Sequence, residues 1–123
     1  MKTELEERTK RFSVALVRTI ARFPKASEGQ VLGKQLLNSG TSIGANYREA
    51  NRAESHKDFL HKVGLAEKEA SETEYWLEIC LEAEVGPANQ LNDLYAEASE
   101  LLAILVTIGR NARRTGARRN PRS

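Results

Sequence analysis

Apolar residues recur every three or four positions through four stretches of this chain, a repeat that suits amphipathic helix and little else. In the first stretch, about Thr3 to Phe23, Leu5, Phe12, Leu16, Ile20 and Phe23 fall on one face. Pro24 then forces the residue before it out of helical geometry. The second stretch spans Glu28 to Ala53, with Val31, Leu32, Leu36, Ile43, Tyr47 and Ala50 as its apolar face. Asn38-Ser39-Gly40-Thr41-Ser42 alone would make a turn. The apolar register continues through it, so one helix is expected. Gly33, Gly40 and Gly44 lie close to one side of that helix, where small residues let a neighbour approach.

The third stretch opens with Ser55-His56-Lys57-Asp58, a hydroxyl followed three residues later by a carboxylate, as in a capping box. Phe59, Val63, Ala66, Ala70, Thr73, Leu77 and Cys80 make its stripe, and Gly86-Pro87 provides a stop. The fourth runs from Pro87 to Ala112 on Leu91, Leu94, Ala98, Leu101, Leu105 and Ile108. Four long helices with short connections predict an all-α, antiparallel up-and-down four-helix bundle. The bundle is expected over residues 1–112, and a disordered basic tail over 113–123.

The length of 123 residues holds one such domain. The charged start MKTELEERTK does not suit a signal peptide, and no apolar run reaches the ~18 residues of a membrane span. With a single cysteine, Cys80, no internal disulfide can form. A cytoplasmic setting is expected.

Charge is divided unevenly. Residues 1–109 carry 13 Lys and Arg against 17 Asp and Glu, whereas residues 110–123 carry six arginines and no acid. Those arginines are Arg110, Arg113, Arg114, Arg118, Arg119 and Arg122. Arg11, Arg18, Arg22 and Lys25 add a basic stripe opposite the core face of the first helix. Arginine suits phosphate because its fork bonds two oxygens at once. These ten residues are the expected nucleic-acid surface. No aromatic residue interrupts the arginines, so base stacking is not expected.

Some apolar surface is left over. Val14, Val17 and Ala21 point away from the core face of the first helix, and Leu65, Trp76 and Ile79 flank the stripe of the third. A bundle of four helices has no deep centre in which to hide a second apolar side. Val14, Val17, Leu65, Trp76 and Ile79 are therefore expected at an interface between copies. A polar ladder of Gln35, Ser39, Ser42, Asn46 and Glu49 runs along the second helix, and Ser71, Glu74 and Glu78 could answer it from the third. Gln35, Ser42, Asn46, Glu49 and Glu74 are expected to form a structural hydrogen-bonded network that fixes register. An enzymatic site built on Asn46, Glu49 and Glu74 is the weaker alternative.

Catalytic and metal chemistry find little support. Cys80 sits on the core stripe near Glu78 and Glu82, which would raise a thiol pKa. His56 and His61 are five apart and do not share a helix face as a metal pair four apart would. Asp58-x-x-His61 has no second copy to complete a di-metal site. No catalytic residue, metal or cofactor is expected.

The segment from Leu32 to Ile79 resembles the four-helix bundle proteins encoded in intervening sequences of bacterial 23S rRNA genes. The carrying motif is SIGANYREA, Ser42 to Ala50, followed by Lys57-Asp58-Phe59 and then ETEYWL, Glu72 to Leu77. Ser42, Ile43, Asn46 and Glu49 match the family pattern, as do Gln35-Leu36 and the Phe59-to-Ala66 spacing. Ala50 stands where many members have glycine, and SETEYWL replaces the more usual serine-leucine-x-glutamate-leucine-glutamate run. The resemblance implies an up-and-down bundle, commonly a homopentameric ring. Related proteins are accessory factors of diversity-generating retroelements, where a basic pentamer is associated with nucleic acid and reverse transcriptase. The expected function is thus a non-enzymatic homo-oligomer that binds RNA through its tail and first helix. The alternative is a protein-interaction scaffold with no nucleic-acid role.

Overall fold

A computed structural model describes residues 2–119, with side chains over 4–116. Four helices follow one another: α1 Lys2–Ile20, α2 Ser27–Asn51, α3 His56–Glu82 and α4 Ala88–Arg119. Each packs on its chain neighbours, α1 also packs on α4, and the backbones of the diagonal pairs stay apart. This is an antiparallel up-and-down four-helix bundle. The described residues contain no strand.

The helix ends follow local chemistry. α1 stops three residues before Phe23, where the N–H groups of Arg22 and Phe23 bond Thr19 and Ile20 at 3.0 and 2.9 Å and tighten the turn before Pro24. The Ser55 hydroxyl caps α3 by accepting the Asp58 N–H at 3.0 Å. The exit from α3 uses positive φ at Glu84 (58°) and Gly86 (94°), and Gly86 lies against the Phe23 ring. α2 is one continuous helix through the turn-like segment. Gly40 explains why: Leu16 occupies the place its Cβ would take, so tertiary packing of α1 outweighs weak helix propensity.

The core is aliphatic. Leu16, Leu36, Ile43, Leu77, Leu101 and Leu105 are fully buried, with Ala66, Ala70 and Ala98 keeping the helices close. Two expectations need correction. Val31, assigned to the core face of the second helix, is 60% exposed, because it lies beside that stripe. The expected disordered tail does not begin at residue 113, since α4 continues to Arg119. Arginine and alanine are good helix formers, no proline intervenes before Pro121, and Gly116 packs on the His56 imidazole. Residues 120–123, and with them Arg122, lie outside the described residues.

Candidate functional site

Arg110, Arg113 and Arg114 are exposed on the last turns of α4. Arg118 and Arg119 continue the helix, and their side chains lie outside the described set. Gly109 lets this part of α4 close on α3, where a Cβ would stand 2.8 Å from Glu67 Oε1. That oxygen is buried and has no hydrogen-bond partner. The other basic group, Arg11, Arg18, Arg22 and Lys25, is also exposed. The two groups do not meet within one protomer. Thr19 and Leu94 line one cleft, and Arg110 lies sixteen residues further along α4, about 24 Å at ~1.5 Å per residue. Antiparallel chain direction puts α1's late residues and α4's late residues at opposite ends.

One cation escaped the sequence reading. Arg8 donates to both carboxylate oxygens of Glu97, from Nε at 2.6 Å and Nη2 at 2.7 Å, and from Nη2 to Glu100 at 3.1 Å. The hydrogen bond to Glu97 leads the causes that push its pKa further up. The partner is 89 residues away, so no local pattern announces the pair. Clefts flank this clamp. One of about 460 Å³ lies among Leu5, Tyr47, Asn51, Phe59, Ile104 and Ile108. Another, of about 350 Å³, lies among Arg11, Phe12, Thr19, Asp93 and Leu94.

The surplus apolar residues fall into two groups. Val14 and Val17 are 42% and 50% exposed on α1. On α3, Leu65 and Ile79 are half-buried, while Trp76 packs partly against the core and donates from Nε1 to Glu72 at 3.4 Å. Trp76 thus serves its own protomer as well as the surface. Tyr75, absent from the expected set, is 56% exposed and meets Trp76 edge to face at 5.2 Å. The i, i+1 spacing hides it from a stripe count.

The polar ladder is answered by other residues than expected. The Thr73 and Ser39 hydroxyls meet at 3.0 Å in the buried α2–α3 seam, where Thr73 also donates to the Glu69 carbonyl at 2.7 Å, and Lys62 pairs with Glu49 at 2.9 Å. Glu74 and Glu78 turn to α4 instead, accepting from Ser99 at 2.6 Å and Tyr95 at 3.2 Å. Ser42 and Asn46 bond back within α2, to the carbonyls of Asn38 and Ser42, and Gln35 is exposed. The five residues therefore do not form one network, because Glu74 lies on the α4 side of α3. For the same reason Asn46, Glu49 and Glu74 do not assemble one site.

Burial pushes the Cys80 thiol up to about 11, so a neutral, inert sulfur stands there. Among the described residues, no three His, Cys, Asp or Glu side chains group as metal ligands would. None of the described helices is long and apolar enough to cross a membrane.

The model of the 23S rRNA-intervening sequence protein family matches residues 1–107. A crystal structure of a protein of unknown function from the S23 ribosomal protein family of Bacteroides thetaiotaomicron is similar to this chain. It is 38% identical, with a TM-score of 0.77 over 84% of this chain and 95% of that one. No curated protein matches. A bundle of this topology, the Ser42–Glu49 motif on α2 and a family match over nearly the whole bundle lead to one assignment: the chain belongs to the 23S rRNA-intervening sequence protein family.

Proposed function

We propose that this protein is a non-enzymatic, cytoplasmic homo-oligomer, a pentamer as the family resemblance implies, that binds RNA through the basic end of α4. The observation that carries the reading is the exposed set Arg110, Arg113 and Arg114, continued by Arg118 and Arg119 with no acid between them. Guanidinium groups bond phosphate oxygens in pairs, and several copies in one assembly would engage a polyanion together. The cations Arg11, Arg18, Arg22 and Lys25 add positive field at the opposite end of each protomer. The family's link to rRNA genes makes RNA the first nucleic acid to test.

Phosphate contacts release counterions, so affinity falls steeply with salt. Full-length protein should bind single-stranded RNA with a strong salt dependence. A chain ending at Arg110 should bind at least ~10-fold more weakly and with a shallower slope. Equal affinity and equal slope for the two chains would overturn the reading. A second reading, a protein-interaction scaffold, is favoured by exposed Val14, Val17 and Tyr75, which could seat a partner instead.

A further inference from the structure

The outer faces of α1 and α3 are complementary. From residue 10 to residue 25 the chain carries five cations and no acid, and from 68 to 84 six acids and one cation, Lys68. Each region holds exposed apolar side chains: Val14 and Val17 in the first, Tyr75 in the second, with half-buried Ile79 beside it. Glu74 and Glu78 are committed to α4, which leaves Glu72, Glu82 and Glu84 exposed and Glu69 half-buried. We propose that copies associate head to tail, the basic and apolar face of α1 in one protomer seating on the acidic and apolar face of α3 in the next. The inference rests on the proposed homo-oligomer and names its seam.

Geometry supports this pairing. The backbones of α1 and α3 stay apart, so the two helices occupy diagonal corners of the bundle and their outer faces look in opposite directions. They are also level. Leu16 abuts Gly40 on α2, and the next residue, Ser39, bonds Thr73 on α3. Val17 and Trp76 thus stand within about one helical turn of the same height. Complementary faces at equal height on opposite sides let copies join side by side without a rise, and the turn between successive copies then decides between a closed ring and an open row.

Charge excludes the two-fold alternatives. An α1 face on its own copy would set five cations against five, and α3 on α3 would set acid against acid. Burial first, and then the Glu72 charge, push the Glu69 carboxyl above its ordinary value, with Lys68 pulling the other way. Arriving arginines would relieve that shift. The seam occupies the α1 cations and narrows the nucleic-acid surface proposed above to the α4 end.

The test uses two charge reversals at exposed positions, Arg18→Glu with Arg22→Glu, and Glu72→Arg with Glu82→Arg, each checked for helicity. In sedimentation at micromolar concentration, wild type should be an oligomer and each variant a single subunit. The apparent dissociation constant should rise at least ~100-fold. A mixture of the two variants should assemble again, since the unaltered α3 face of the first fits the unaltered α1 face of the second, and the acidic α1 face of the first fits the basic α3 face of the second. The chain carrying all four changes should assemble again. Wild-type mass in both variants would place the seam elsewhere and leave the oligomer standing. Single-subunit variants that neither pair on mixing nor recover when combined would overturn the head-to-tail arrangement. A monomeric wild type would sink the oligomer and its seam together.

Discussion

The α2–α3 seam and the α1–α4 seam solve the same packing problem with different chemistry. Between α2 and α3 the buried contact is neutral, Thr73 on Ser39, set among Leu36, Ile43, Ala70 and Leu77. Between α1 and α4 a forked ion pair, Arg8 with Glu97 and Glu100, spans a thinner contact with clefts on either side. The first seam depends on shape and dryness, the second on charge at a half-wet surface. They should respond differently to volume, salt and pH.

Volume should matter most. Leu36→Ala in the α2–α3 core should cost about 2–5 kcal/mol in urea unfolding, since the cavity left behind adds to lost burial. A cost below about 1 kcal/mol would mean that this seam is not the rigid one. Thr73→Val keeps shape and removes the hydroxyl. It should cost about 1–2 kcal/mol and be insensitive to salt, because the Ser39 hydroxyl loses its partner in a buried site. Arg8→Ala should cost about 1 kcal/mol at low ionic strength, and less as salt rises, since both partners are about 30% exposed. Amide exchange should quicken in α1 before α3. Uniform quickening would erase the distinction between the seams.

The smallest effect concerns Glu69. Its folded pKa is raised, so between the unfolded value and the folded one the native state holds more protons than the unfolded state. Stability therefore falls as pH rises through that window. Glu69→Gln should stabilise slightly at neutral pH, and the advantage should vanish below the ordinary carboxylate pKa. A gain that persists at low pH would point to packing rather than charge.

Much of this architecture is legible in the sequence. The cap at Ser55, the Gly86-Pro87 exit and the leucine stripes are local signals, and the helices begin and end within a few residues of them. Val31 misleads because periodicity cannot tell a stripe's edge from its centre. The segment 113–119 misleads because Arg and Gly composition suggests disorder, while the contact of Gly116 with His56 depends on how the chain returns. Arg8 is invisible because its partner is near only after folding. The destinations of Glu74 and Glu78 depend on which flank of α3 meets α4, a choice that spacing leaves open. The separation of the basic groups follows from antiparallel direction, which the sequence implies but a charge count overlooks.

The length of α4 has a last consequence. Because its backbone stays wound to Arg119, the pitch of the helix sets the spacing between the Cα atoms that carry the arginines. A floppy polycation must surrender chain freedom when it meets a polyanion, whereas this rod has surrendered it already during folding. If the α4 end binds nucleic acid as proposed, discrimination between nucleic-acid shapes becomes a matter of fit to a stiff helix. A proline placed at Asn111 would soften the helix while leaving every arginine in place.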